Sequence, residues 1–243
     1  MNTSVATTEP IQPPGGGVTL SRTSAAAQVL LSLLFFGFSG ATEPGGANTI
    51  DPCVASDWIS LSSCISGLSA NRFIEVTQVI DVPVTSAAVT ISTYGATIYS
   101  TTGGGLRRKQ ADLSPGGTLE ISGSNTSLIG LTFFDEVSKP GTFAYCNPPN
   151  STGGGAQLSL GGAKFTTITG CMFVNASGFN VAVSRSNFTL FTNNTLSGGC
   201  LFGLWSPFYS TQTHMFMLNN QISDINSNAF LISLVDSLIQ GNT

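Results

Sequence analysis

Leu128-Ile-Gly-Leu-Thr-Phe133 is a phrase this chain repeats. The further copies are Ile168-Thr-Gly-Cys-Met-Phe173, Phe191-Thr-Asn-Asn-Thr-Leu196, Met217-Leu-Asn-Asn-Gln-Ile222 and Ile239-Gln-Gly-Asn-Thr243. Each copy opens on a large apolar residue, and successive copies start 40, 23, 26 and 22 residues apart. Three steps of 22 to 26 with one longer step describe a solenoid with one inserted loop.

Within a copy the pattern is apolar, any, Gly or Asn, variable, polar, apolar. Apolar residues on both sides of a Gly/Asn turn can face one interior, and the Thr and Ser between them suit a pleated, half-buried surface. No helix-period stripe of useful length follows residue 75, and the pattern of leucine-rich repeats is absent. These features predict a parallel β-helix. The slot after the turn residue holds Leu131, Cys171, Asn194, Asn220 and Asn242. Stacked about 4.8 Å apart, the three Asn amides are expected to bond to one another and to nearby backbone as a ladder. The simpler reading of Asn-Asn is turn chemistry.

Glu120-Ile-Ser-Gly-Ser-Asn-Thr-Ser-Leu-Ile-Gly-Leu-Thr-Phe133 resembles the early coils, and Gln240-Gly-Asn-Thr243 the later ones, of the right-handed parallel β-helix superfamily of pectate lyases, pectin lyases and polygalacturonases. That superfamily also holds adhesins, tailspikes and autotransporter passengers. Gly161-Gly-Ala163 resembles, in one copy, the GGA motif of chlamydial polymorphic outer-membrane proteins. The resemblance implies an all-β, right-handed, single-stranded parallel β-helix of 22–26 residues per coil over residues 53–243, with a short N-terminal capping helix. It also implies where catalytic residues would stand. The family's lyases gather Asp and Glu around calcium beside an Arg base, and its hydrolases use Asn-Thr-Asp, Asp-Asp, Gly-His-Gly and Arg-Ile-Lys motifs. None of these is present. Calcium needs six to eight oxygen ligands and glycoside hydrolysis two flanking carboxyls. Between Gly141 and Thr243 only Asp224 and Asp236 occur, in different slots of the repeat. No catalytic residues and no cofactor are therefore assigned.

Ahead of the repeats, residues 1–24 read as a disordered leader. Residues 25–41 are apolar, with small residues at Ser39-Gly40-Ala41, and fit a signal peptide cleaved after Ala41. The alternative is an uncleaved anchor, since seventeen residues sits at the lower limit of a spanning helix. Residues 42–52 are a Pro/Gly linker. Trp58, Leu61 and Ile65 fall at helical spacing between Cys53 and Ala70, so a helix is expected to close the N-terminal end of the solenoid, with Trp58 as core filling.

Charged residues are only 8% of the chain, against about 25% in typical domains. With a net charge of −4, nucleic acid is excluded as a partner. The single basic run, Arg107-Arg108-Lys109, lies in a Gly-rich segment from Thr101 to Pro115 and reads as a solvated loop tip. The long step contains an insertion from Asp135 to Gly155. Solenoid insertions emerge from one face, often the binding face. Asp135, Glu136 and Lys139 at its start are candidate ligand-binding residues, though a solvated loop base is the ordinary reading. Trp205, Phe208 and Tyr209 are candidates for stacking on sugar rings, or for packing under a loop.

A signal peptide places the five cysteines in an oxidising compartment. Cys53 and Cys64 are expected to clamp the cap; Cys146 has Cys171 and Cys200 as alternative partners, and Cys171 also fits as a small buried hydrophobe. With a lone His214 and no CxxC spacing, no metal site is expected. Sequons stand at Asn125, Asn150, Asn175, Asn187 and Asn193, the number expected of a secreted glycoprotein and also one that composition alone can produce. Asn193 should point outward if Asn194 points inward. Since Thr243 falls inside a coil, a C-terminal remainder or another chain is expected to cover that end. The functional expectation is a secreted protein associated with extracellular polysaccharide. The alternatives are part of a polysaccharide lyase or glycoside hydrolase with catalytic coils beyond Thr243, and a surface adhesin or stalk.

Overall fold

The computed structural model describes residues 51–69, 72–83, 88–109, 117–136, 155–207, 210–225 and 228–243. The leader, the apolar stretch 25–41, most of the linker, and Lys139, Cys146, Asn150, Phe208 and Tyr209 lie outside the described residues. The chain winds as a parallel β-helix with three parallel sheets, here called I, II and III. Sheet I runs through Cys53–Ala55, Phe73–Val76, Thr97–Tyr99, Ser127–Ile129, Lys164–Thr169, Asn187–Thr192 and Thr211–Leu218; Ser233–Val235 and Leu238–Gln240 both pair with Thr211–Leu218. Sheet II holds Val79–Val82, Gly105–Lys109, Thr132–Glu136, Met172–Val174, Thr195–Ser197 and Gln221–Ser223. Sheet III holds Val89–Ile91, Leu119–Ile121, Leu158–Gly161, Val181–Ser184, Phe202–Trp205 and Asn228–Leu231. Each coil passes from I to II to III.

The register shows why the repeated phrase folds this way. Its opening residues lie one above another inside sheet I, in the column Ile74, Ile98, Leu128, Ile168, Phe191, Met217. Its closing residues form the inner column of sheet II: Leu106, Phe133, Phe173, Leu196. Phe133 and Phe173 stack with centroids 4.9 Å apart. Between the columns the chain turns through Gly130, Gly170, Asn193, Asn219 and Gly241, all at φ between 53° and 65°. Gly and Asn tolerate that left-handed conformation, so the turn slot of the phrase is a backbone requirement.

The next slot carries the amide ladder. Asn194 Oδ1 accepts from the Cys171 backbone N–H at 2.9 Å, Asn220 Oδ1 from that of Asn194 at 2.9 Å, and Asn242 Oδ1 from that of Asn220 at 2.8 Å. Their Nδ2 groups donate to the carbonyls of Ile168, Phe191 and Met217, each at 2.9 Å. The other corners carry shorter polar stacks: Asn180 Nδ2 donates to Gln157 Oε1, and Gln212 Oε1 accepts from the Ser186 N–H. Each satisfies backbone groups that a sharp turn would otherwise leave buried and unpaired.

The N-terminal helix spans Trp58–Ser66, shorter than the interval that suggested it, and the strand Cys53–Ala55 precedes it. Asp57 and Ser60 form a capping box: Asp57 Oδ1 accepts from the Ser60 N–H at 2.7 Å, and Ser60 Oγ accepts from the Asp57 N–H at 3.0 Å. The Ser60 N–H and then the Ser60 Oγ–H, both donating to Oδ1, hold the Asp57 carboxyl below its ordinary value. Leu61 and Cys64 are buried, and Trp58 and Ile65 pack against the first coil. Cys53 and Cys64 are disulfide-bonded, which ties the helix to the first strand.

Two expectations need correction. Arg107–Lys109 is not a loop tip: Gly105–Lys109 is a strand of sheet II. Alternation sends Arg107 and Lys109 outward and Arg108 inward, where it is 1% exposed. Nor is Asp135 a solvated loop base. It sits above Arg108 in register, is equally buried, and pairs with it, Arg108 Nη2 to Asp135 Oδ2 at 2.7 Å.

Candidate functional site

Of the charged candidates, Asp135 faces the core and Glu136, its neighbour in the same strand, faces solvent. The two therefore do not form one site. Around Asp135 the polar groups are saturated. Arg108 Nε donates to Oδ1 at 3.3 Å, and the Ser177 N–H and Oγ–H donate to Oδ2 at 2.9 and 3.1 Å. Arg108 Nη2 also reaches the Gly155 carbonyl at 3.4 Å. The insertion leaves after this pair and returns at Gly155, so the pair holds its base. On the outside of sheet II, Asp81 contacts Arg107 at 2.6 Å and Lys109 at 2.7 Å. Those two cations hold the Asp81 carboxyl down at about 2, Arg107 contributing most. Among the described residues no three His, Cys, Asp or Glu side chains gather as a metal site would require.

Cys171 is buried and free, and desolvation pushes its thiol up to about 12, which leaves it unreactive. Cys200 is disulfide-bonded. Asn193 and Asn175 are exposed at corners, and Asn125 is half-buried at another. Asn187 Oδ1 accepts from Thr213 Oγ1 at 2.6 Å. Asp224 and Asp236 occupy different corners, both left-handed. No helix among the described residues is long and apolar enough to cross a membrane.

The most unusual outward feature lies at a bend within the strands of sheet I. Asn125, Phe165, Phe188, His214 and Asp236 hold equivalent places in five successive coils, all at φ between 49° and 57°. Asn and Asp tolerate this conformation. His adopts it more readily than most residues, but for Phe165 and Phe188 it is an outlier that costs about 1–2 kcal/mol each. The paired residues around each show that the register is otherwise regular: Lys164 opposite Asn187 opposite Thr213, then Thr166 opposite Thr189 opposite Met215.

The rings stack. Phe165 and Phe188 have centroids 4.8 Å apart with planes 11° from parallel; Phe188 and His214 are 4.4 Å apart at 14°. Near-parallel rings in contact are separated by about 3.5 Å along their normal, so each must be offset from the next by about 3 Å. They overlap like shingles, and each leaves part of a face uncovered. Phe165 is 44% exposed and Phe188 40%. His214 Nδ1 is buried without a hydrogen-bond partner among the described residues, so stacking rather than hydrogen bonding holds that ring.

Sequence reading did not find this column, although the signal was there. Lys-Phe-Thr at 164–166 and Asn-Phe-Thr at 187–189 recur at the repeat step of 23, with Thr-His-Met at 213–215 after a further 26. Trp205, which was singled out, is half-buried and stacks on Phe179 with centroids 4.6 Å apart.

No protein-family model matches the chain, and no curated protein matches its sequence.

Proposed function

We propose that this protein binds extracellular polysaccharide, with the glycan lying along the solenoid axis over Phe165, Phe188 and His214. The observation that carries this is a shingled, half-exposed aromatic column held in a backbone conformation that aromatic residues avoid. One pyranose of an extended glycan is about as long as one rung of about 4.8 Å, so successive sugars meet successive rings. The C–H face of a sugar suits the uncovered part of an aromatic face, and the surrounding Ser, Thr and Asn supply neutral donors and acceptors for its hydroxyls. Secretion accords with the Cys53–Cys64 disulfide, since such bonds persist in oxidising compartments.

The test is depletion of the full chain from solution by insoluble cellulose, mannan and xylan. Retention on at least one is expected. Phe165→Gly with Phe188→Gly should abolish it with the solenoid still folded by circular dichroism, because relief of the left-handed strain offsets part of the lost ring burial, stacking and added chain entropy. Full retention by this double variant, or no retention of the wild type on any of the three, refutes the proposal.

A further inference from the structure

Sheet III carries a second aromatic cluster on its outer face. Phe179 lies between Phe202 and Trp205, with centroids 5.9 and 4.6 Å away and planes 5° and 12° from parallel. Trp205 faces outward, because Leu204 beside it is in the core. Down the same outward column the register places Ala182, Ser159, Glu120 and Thr90. Ala182 and Ser159 are short, so the surface drops between Trp205 and Glu120, which are three rungs, about 14 Å, apart. Glu120 Oε2 lies 3.5 Å from Thr90 Oγ1. Its Oε1 leans over Gly161, where a Cβ would come within 3.0 Å of it. The result is a trough with indole and phenyl rings at one end and a carboxylate at the other.

We infer that this trough is a second glycan-binding face, taking about three residues of a neutral, linear β-1,4-linked oligosaccharide, so that one molecule holds two glycan chains side by side. This rests on the reading of the Phe165–His214 column as a glycan site. The aromatic end meets the C–H face of one sugar; the carboxylate accepts hydroxyl protons from another, and two oxygens can each take more than one. The ligand is neutral because Glu120 is the charged group at the trough and repels a uronate. It is straight because the rungs are. Two chains are needed because both features run along the axis on opposite sides of one corner. Ala182, which shares the Trp205 column, is six residues from Phe188, so the columns are at most about 20 Å apart. A chain following one column cannot follow the other, and a protein that holds both would cross-link neighbouring chains with the gain of linked sites.

The experiment is isothermal titration of the full chain with cellohexaose, mannohexaose and xylohexaose. Two sites per protein are expected for the best of them. Trp205→Ala should leave one site, Phe188→Gly should leave the other, and the pair should leave none. Glu120→Gln, which removes only charge from the half-buried outer face, should weaken one site about fivefold to tenfold without touching the other. It remains informative if Trp205→Ala fails to fold. Bridging is read separately: protein bound to insoluble glycan should capture a fluorescent hexasaccharide, and the Glu120→Gln protein should capture less. One site in the wild type, lost with Phe188→Gly and indifferent to Glu120→Gln, overturns this inference and leaves the first reading standing. No binding by the wild type sinks both.

Discussion

Asp135→Asn changes the shape of one buried side chain almost not at all and removes its charge. Asp135 accepts two bonds from Arg108 and two from Ser177, and the side chains of the ion pair are 0% and 1% exposed. Water cannot replace what the substitution removes. The guanidinium would be left charged, desolvated and facing a neutral amide that keeps one acceptor oxygen and turns its NH2 donors toward the donors of Arg108 or Ser177. Breaking a buried pair in this way costs about 3–5 kcal/mol. For a domain of this length each kcal/mol moves Tm by about 2–4 °C, so a fall of about 6–20 °C is expected. Guanidinium denaturation followed by circular dichroism should show the midpoint falling at unchanged m. Arg108→Met with Asp135→Leu removes both charges, and such replacements are often neutral or stabilising. Here Ser177 and Gly155 lose partners as well, at about 1–3 kcal/mol for each buried group stranded. The double variant should therefore recover most, but not all, of the wild-type stability. If Asp135→Asn lies within about 1 kcal/mol of the wild type, the pair is not desolvated as its exposure implies. If the double variant is no better than the single, the pair is a net stabiliser and the desolvation reasoning is wrong.

Asn220→Ala strips the middle of the ladder, leaving the Asn194 N–H and the Phe191 carbonyl without their partners, and should cost about 3 kcal/mol in the same denaturation assay. Gly105→Ala would drive a Cβ into the Thr132 carbonyl across the sheet II pairing, so folding yield and protease resistance should collapse; normal resistance would show that the close approach is not real. The Asp81 carboxyl is held at about 2 when folded, below its unfolded value near 3.9. Its contribution is therefore present above pH 4 and lost as pH falls towards 2. Screening at this exposed pair keeps it to about 1 kcal/mol or less. Asp81→Asn should flatten that part of the acid limb and little else. Cys53→Ser with Cys64→Ser opens a twelve-residue loop and should cost about 3 kcal/mol, reported by earlier proteolysis of the N-terminal cap.

The fold was legible where one position carries one physical demand. A slot that must take positive φ admits Gly and Asn, and the slots on either side must be apolar to fill the core. Repetition at 23, 26 and 22 residues makes those demands visible in Ile168, Phe191, Met217 and Ile239. Arg108 was not legible because its environment is set by a residue 27 positions away, on the next coil. In sequence, Arg-Arg-Lys after three glycines has the composition of a loop, and only alternation in a strand separates Arg108 from its neighbours. Asp135 and Glu136 were grouped by adjacency, yet adjacent residues of a strand face opposite ways. The aromatic column was not legible because Gly and Asn are the residues that mark left-handed positions in a sequence, and Phe165, Phe188 and His214 are neither.

That exception bears on function. The same chain turns the corner from sheet I to sheet II five times with Gly or Asn, where left-handed backbone costs little. At the bend within sheet I the same conformation is filled by Phe, Phe and His in three successive coils, at about 1–2 kcal/mol for each Phe and less for His. Stacking between them returns about 0.5–1.5 kcal/mol per contact beyond area burial, and there are two contacts, so stacking and partial burial together are comparable with the strain. Phe133 and Phe173 stack as well, but in the core, where burial stabilises them directly. Phe165 and Phe188 remain 44% and 40% exposed and gain only part of that stabilisation. Neither local backbone preference nor the core accounts for aromatic side chains there. What is left is the surface they make, a row of partly uncovered ring faces set one rung apart, and the ligand proposed above, with the same repeat, would give such a row a use.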